Sequence, residues 1–68
     1  MFAIRLKRSR TSHGWSQGYL AELSGVSQAY ISELEAGEKQ PTLPIVEKLA
    51  KALGVHIAEL LEEEAEDG

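Results

Sequence analysis

The chain has 68 residues, of which 43% are hydrophobic and 26% are charged, a composition typical of one small folded domain. It contains no cysteine, which excludes a disulfide framework, a thiolate nucleophile and a cysteine-based metal site. Its formal net charge is −4, although a basic surface is the first sign expected of a protein that binds nucleic acid.

The first two predicted helices are separated by residues that favour a turn. Apolar residues at helical spacing predict a first helix over about residues 2–12, ending before Gly14. Ser16 is a suitable N-cap for a second helix, and Gly25 ends it. Gly18 lies inside this second helix, where glycine is about 1 kcal/mol less favourable than alanine, and the sequence offers no reason for it.

The third and fourth helices are predicted from the same signals. Ser27 is placed to cap a third helix over residues 28–36. Thr42 is placed to cap a fourth, in which Pro44 falls in the first turn, where its missing N–H does little harm. Gly54 ends this fourth helix, which has one apolar face.

A fifth helix begins near Ile57 and contains the apolar pair Leu60 and Leu61. Beyond it, the sequence becomes an acidic C-terminal tail over residues 62–68. No stretch keeps a period of two long enough for a strand. The sequence therefore predicts an all-α domain of five short helices over residues 1–61.

The charges are divided unevenly among these predicted helices. Residues 1–21 contain four cations and no acid. The cations are Arg5, Lys7, Arg8 and Arg10. The remaining three lysines share residues 22–68 with all eleven acids, six of which fall within residues 59–68. The net charge of the chain is thus a poor guide to the charge of any one face.

The connection between the second and third helices is the most informative segment. Residues 24–27 form a four-residue link that contains Gly25, which permits a positive φ, and Val26, which can fill the gap between the helices. Such a link is typical of a helix-turn-helix, although a plain αα-hairpin would share its spacing.

A longer pattern covers most of the chain. Its elements are Ser16-Gln17, Leu20-Ala21-Glu22, Gly25-Val26-Ser27, Tyr30-Ile31-Ser32, Leu34-Glu35-Ala36-Gly37, Pro41-Thr42-Leu43, Leu49-Ala50-Lys51-Ala52-Leu53-Gly54-Val55 and Leu60-Leu61. Over about residues 2–61 this pattern resembles the phage-repressor/Cro/Xre helix-turn-helix family. The resemblance implies a compact, lambda-repressor-like DNA-binding fold of five helices that acts on operator DNA as a homodimer.

The third helix is predicted to have one polar and one apolar side. At 100° per residue, the apolar side carries Tyr30, Ile31 and Leu34. The opposite side carries the predicted base-contacting residues Gln28, Ala29, Ser32 and Glu33. In a major groove, glutamine pairs with adenine, alanine meets a thymine methyl, serine suits several bases and glutamate accepts from cytosine. The alternative is an ordinary solvated helix face.

Contacts to the DNA backbone are expected from a second set of residues. They are Gln17, Ser27, Tyr30, Lys39, Gln40 and Arg10. Gln17 matches a glutamine that the family uses on a phosphate, and Lys39 and Gln40 match its phosphate-contacting loop. Tyr30 could instead pack inward. For Arg10, the resemblance favours a structural ion pair with Glu35 that joins the first helix to the third.

Other classes of function are weakly represented. The only histidines are His13 and His56, with no helix-spaced ligand pair and no phosphate-binding glycine motif, so we expect no enzyme, metal or cofactor. No apolar run approaches a membrane span, and Met1–Arg5 does not begin a signal peptide, so a cytoplasmic location is expected. No pocket for a small-molecule effector is evident.

The sequence thus predicts a sequence-specific regulator that binds double-stranded DNA. The third helix would read the major groove, and a homodimer, repressor-like in action, would bind a palindromic operator. Helix five with Val55 and Ile57 is the expected dimer interface. The alternative is an antitoxin or protein-interaction module with the same fold, in which the acidic tail contacts a protein partner.

Overall fold

Five helices follow one another in the computed structural model, which describes residues 2–61. They are α1 (Phe2–Ser12), α2 (Gln17–Ser24), α3 (Gln28–Glu35), α4 (Leu43–Leu53) and α5 (Ile57–Leu61). Residues 2–61 contain no strand, and the predicted all-α architecture of five helices is confirmed. The predicted acidic tail at residues 62–68 lies outside the described residues.

Serine side chains cap α2 and α3 as predicted. The Ser16 Oγ accepts a hydrogen bond from the Tyr19 N–H at 3.0 Å, and the Ser27 Oγ accepts one from the Tyr30 N–H at 3.1 Å. Thr42 occupies the N-cap position of α4, but its side chain makes no capping hydrogen bond. Pro44 explains part of this difference, because it has no N–H and removes one of the two donors that a capping hydroxyl uses.

The turn between α2 and α3 depends on Gly25. Its φ is +77°, in the left-handed region that glycine adopts without steric cost, and its N–H donates to the Ala21 carbonyl at 2.9 Å. Val26 follows and is only 4% exposed, which confirms that it fills the gap between the helices. The third helix ends at Glu35, one residue before the predicted limit, and Ala36 is its C-cap.

The core is built from one apolar face of each helix. Its buried residues are Leu6, Leu20, Val26, Ile31, Leu34, Val46, Leu49, Ala50, Leu53 and Leu60. Around it, α3 packs on both α1 and α2, while α4 packs on α2 and α5. No helix within residues 2–61 is long and apolar enough to cross a membrane. The packing fixes the position of α3 from two sides and leaves its remaining face outside.

Several half-buried side chains line the edge of this core. Trp15 packs there, in the turn between α1 and α2. Val55 and Ile57, which the sequence assigned to a dimer interface, also pack against the core. Leu61, at the end of α5, is 43% exposed. The exposed apolar surface at this end of the described chain is therefore carried more by Leu61 than by Val55 and Ile57.

Candidate nucleic-acid interface

The outward face of α3 carries the residues predicted to read bases. Gln28, Ala29 and Ser32 are exposed, and the Glu33 side chain is 40% exposed. The opposite face is anchored by apolar side chains that are fully buried, Ile31 and Leu34. The structure thus brings the four predicted base-contacting residues onto one solvent-facing side of a single helix.

Arg10 of α1 and Glu35 of α3 form a bidentate ion pair. The Arg10 Nε lies 2.7 Å from Glu35 Oε2, and its Nη2 lies 2.9 Å from Oε1. The two side chains are only 11% and 4% exposed. Hydrogen bonding to Glu35 raises the pKa of Arg10, while burial acts in the opposite direction. The structural pair implied by the family resemblance is therefore present, and it ties the last turn of α3 to α1.

The same carboxylate holds the start of α2. The Gln17 Nε2 donates to Glu35 Oε1 at 3.1 Å, and the Arg10 Nη1 donates to the Trp15 carbonyl at 2.7 Å. A glutamine amide nitrogen carries two hydrogens, so Gln17 keeps one for another acceptor. The beginning of α2 and the end of α3 are thereby fixed relative to each other.

Two of the residues predicted to contact phosphate have contacts within the protein. Each guanidinium nitrogen of Arg10 already donates to Glu35 or Trp15, and the side chain is nearly enclosed. Tyr30 is half-buried and packs against the core. The structure thus shows Arg10 in the structural ion pair and Tyr30 packed against the core, and a contact of either residue with DNA stays a prediction.

The other predicted backbone contacts remain on the surface. Ser27 is exposed, and because its oxygen accepts the capping bond, its hydroxyl hydrogen is available to donate. Gln40 and Lys39 are exposed in the loop after α3. In the first turn of α2, Ser16 caps the Tyr19 N–H, while the N–H groups of Gln17 and Gly18 have no acceptor within the helix, which makes that helix start a favourable place for an anion.

Lys39 also forms an ion pair that the sequence did not predict. Its Nζ lies 3.7 Å from Glu33 Oε1, and the two side chains are 56% and 40% exposed. Opposite charges six positions apart were visible in the sequence, but their contact depends on the path of the loop after α3. The structure thus joins a predicted base-contacting residue to a predicted phosphate-contacting residue.

Sequence reasoning also missed a contact between Gly18 and Gln28. A Cβ placed on Gly18 would lie 3.3 Å from the Gln28 Oε1 and 3.8 Å from its Cδ. The carboxamide of the first residue of α3 therefore rests on the first turn of α2. A glycine at this position gives no hint of which neighbour occupies the space that it leaves.

Aromatic rings form a cluster beside the start of α2. The ring centroids of His13 and Trp15 are 4.2 Å apart, and those of Trp15 and Tyr19 are 5.2 Å apart in an edge-on arrangement. The His13 Nδ1 also lies 2.9 Å from the Ser9 carbonyl oxygen. The three rings thus connect the α1–α2 turn to the first turn of α2. Within residues 2–61, no group of three or more potential ligands is placed to hold a metal ion.

Comparisons with known proteins match this arrangement. A family model described as helix-turn-helix matches residues 6–60. The SPbeta prophage-derived uncharacterized HTH-type transcriptional regulator YonR of Bacillus subtilis is 40% identical over 55 residues, which are 81% of this chain and 51% of YonR. The chain spans between 28% and 60% of the length of the first curated relatives that it matches.

Solved structures resemble the chain over most of its length. The restriction-modification controller protein C.AhdI from Aeromonas hydrophila is 41% identical, with a TM-score of 0.84 over 87% of this chain and 89% of that one. The N-terminal DNA-binding domain of SinR from Bacillus subtilis is 34% identical, with a TM-score of 0.89 over 97% of each chain. SinR also has a solved complex with SinI, which matches with a TM-score of 0.89 and 34% identity over 94% of this chain and 63% of that one.

Proposed function

Because this chain belongs to the helix-turn-helix family, among its Xre/Cro-like transcriptional regulators, we propose that it binds double-stranded DNA in a sequence-specific manner. The observation that carries the proposal is the solvent-facing side of α3, whose polar residues are not part of the core. The opposite side of the helix is fixed by the buried side chains of Ile31 and Leu34. An enzymatic role has no support in this family of regulators.

In the proposed complex, α3 enters the major groove with its N-terminal residues at the base edges. Gln28 pairs with adenine through its amide, and Ala29 contacts a thymine methyl. Ser32 forms hydrogen bonds with more than one type of base. In the free protein, one carboxylate oxygen of Glu33 faces Lys39. In the complex, Glu33 releases this lysine and accepts a hydrogen bond from a cytosine amino group. The exposure of these four side chains supports this arrangement.

The DNA backbone is held mainly by neutral donors in this proposal. Gln17 and Ser27 each retain a hydrogen for a phosphate oxygen, and the start of α2 adds the backbone N–H groups of Gln17 and Gly18. Lys39 and Gln40 supply contacts from the loop after α3. Such contacts fix the orientation of the protein on the duplex, while the bases determine the sequence.

We further propose that the chain acts as a homodimer on a palindromic operator and represses transcription there. One helix of eight residues reads too few base pairs for a specific site, and two copies would read half-sites about 34 Å apart. The exposed Leu61 at the end of α5 supports an interface on that side. Two such copies double the number of base and phosphate contacts.

A second candidate is a protein-interaction module or antitoxin that uses the same fold. The complex of SinR with SinI favours it, since a relative of the same fold assembles with another protein. Apolar side chains on the surface also favour it, with Ile4 54% and Leu43 57% exposed. In this alternative, the acidic residues of the C-terminal tail contact the protein partner.

Selection of bound sequences from a random DNA pool tests the first candidate. The chain should enrich a two-fold symmetric site, and Gln28→Ala should weaken binding to it by about 1–3 kcal/mol while relaxing the preference at one position of each half-site. Glu22→Ala, an exposed change on α2, is the control and should leave the preference intact. Failure to bind any sequence at low salt would exclude this function and favour the second candidate.

A further inference from the structure

The position of the Gln28 side chain is defined by a residue outside α3. Its carboxamide lies over Gly18, with Oε1 3.3 Å from the place of a Cβ on that glycine. The Ser16 Oγ lies 3.8 Å from the same place. The end of the Gln28 side chain therefore packs against the first turn of α2.

Gly18 is not needed for the backbone conformation. Within residues 2–61, the glycines with positive φ are Gly14, Gly25, Gly37 and Gly54, all of which lie outside the helices, whereas Gly18 lies within α2 and has an ordinary helical conformation. Alanine would be a better helix former at this position. What glycine provides here is space, and the atoms that use this space belong to Gln28.

We propose that Gly18 is a specificity-determining residue that positions Gln28 for its base. This inference rests on the proposed DNA-binding function and assigns a role to a residue that would touch no base itself. A bidentate pair with adenine requires the amide oxygen and nitrogen to meet two fixed atoms of the base. The lateral position of the carboxamide, set by its contact with α2, therefore decides which base it fits.

A side chain at position 18 would move this carboxamide. At 3.3 Å, an added methyl is closer than ordinary van der Waals contact, so the flexible end of Gln28 must shift by a few tenths of an ångström. A larger residue such as leucine would displace the Gln28 carboxamide from the first turn of α2. The change would be expressed in base preference and not in folding, because the end of a long side chain yields more easily than a packed core.

The test compares Gly18→Ala and Gly18→Leu with Glu22→Ala, an exposed control on the same helix. Each variant is put through selection from a random DNA pool, titration on the site chosen by the unsubstituted chain, and thermal denaturation. Gly18→Ala should keep or raise the Tm while losing about three- to tenfold in affinity, part of the about 5- to 150-fold expected for a whole bidentate pair. Gly18→Leu should lose more, and both should alter the base selected at one position of each half-site.

A double-mutant cycle separates positioning from other effects. In a Gln28→Ala background, Gly18→Ala should no longer change base preference or affinity, because the side chain that it displaces is absent. An unchanged loss in that background would overturn the inference and assign the effect to the start of α2 itself. Retention of the original base preference by both position-18 variants would overturn it as well.

The inference and the proposed function fail in different ways. If the unsubstituted chain selects no DNA sequence, both are overturned. If it selects a site, and Gln28→Ala alters that site but Gly18→Leu does not, only the inference is overturned. In the free protein, nuclear Overhauser contacts between the Gly18 Hα protons and the Gln28 side-chain amide test the geometry directly, and their absence would contradict it.

Discussion

Glu33 and Glu35 lie two positions apart in α3, and each faces a cation in a different manner. The Glu35 carboxylate is 4% exposed and receives three hydrogen bonds, two from Arg10 and one from Gln17. The Glu33 carboxylate is 40% exposed and lies 3.7 Å from Lys39, which is itself 56% exposed. The same type of side chain thus holds the helices together at position 35, whereas at position 33 it forms an exposed ion pair that can exchange partners.

The difference shows how one short helix serves two purposes. A buried, bidentate pair has no water to replace a lost partner, so it holds α1, α2 and α3 in one arrangement. An exposed pair at longer distance is weak and screened by salt, so Lys39 can leave Glu33 for a phosphate. The raised pKa of Arg10 keeps its charge in place: that contribution to stability is lost only as the pH rises above the ordinary alkaline range of arginine.

Removal of the buried carboxylate should have the largest effect. Glu35→Ala leaves the Arg10 guanidinium nearly enclosed without its partner, and it should lower the free energy of unfolding by about 3–5 kcal/mol. Glu33→Ala is the matched control and should change it by less than about 0.5 kcal/mol. Chemical denaturation followed by circular dichroism measures both. Equal effects of the two substitutions on the free energy of unfolding would contradict the distinction between the buried and the exposed ion pair.

Replacement of the arginine tests the geometry of the buried pair while keeping its charge. A lysine at position 10 cannot reproduce the two parallel bonds to Glu35 together with the bond to the Trp15 carbonyl. Arg10→Lys should therefore cost about 1–3 kcal/mol in unfolding free energy. The exposed counterpart, Lys39→Arg, should be neutral within about 0.5 kcal/mol. A neutral Arg10→Lys would show that charge alone holds the pair.

Loss of the exposed cation should affect DNA binding and not folding. Lys39→Ala should weaken binding to selected and random sequences alike, by about 1 kcal/mol per protomer, and should reduce the salt slope of log K by about 0.9 per phosphate contact. Lys51→Ala, an exposed change on α4, should leave the slope unchanged. Titration of labelled duplexes at several salt concentrations gives both numbers. A loss confined to the selected site would mean that Lys39 reads a base.

Neutralisation of the exposed acid should have the smallest effect. Glu33→Gln removes a negative charge near the phosphates and releases Lys39, so binding to random DNA should strengthen by about 0.5 kcal/mol or less. If Glu33 accepts from cytosine, the preference for cytosine at its position should decline in the same variant. Competition between the selected site and a version changed at that base detects this. Weaker binding to all sequences would show that the Glu33–Lys39 pair itself is needed.

The sequence predicted those parts of the fold that depend on short-range chemistry. Ser16 and Ser27 cap their helices because the bond from a cap hydroxyl is local, and Gly25 turns the chain because φ is a property of one residue. Helical spacing likewise separated Ile31 and Leu34 from the polar side of α3. The partnership of Arg10 with Glu35 came from the family resemblance, since nothing local connects positions 25 apart.

The contacts that the sequence did not predict depend on how side chains from different elements meet across turns. The contact of Gln28 with Gly18 requires the angle between α2 and α3, and the pairing of Lys39 with Glu33 requires the path of a loop. Thr42 was placed correctly at the N-cap of α4, but its side chain makes no capping hydrogen bond, in part because Pro44 has no N–H to donate. The contacts to DNA depend on a partner that the chain sequence does not contain, so they stay predictions.

The bonds from Arg10 to both the Trp15 carbonyl and Glu35 bear on how the domain opens locally. One guanidinium bonds both the end of α3 and the turn before α2, so detachment of α3 from α1 takes away the carboxylate that balances its charge, while its bond to the Trp15 carbonyl remains. Partial opening that frees α3 from α1 therefore leaves this guanidinium nearly enclosed without its carboxylate partner, which makes such an opening unfavourable. Amide protons of α3 should exchange with solvent at the rate set by global unfolding, whereas those of α5, five residues long, should exchange through local fraying.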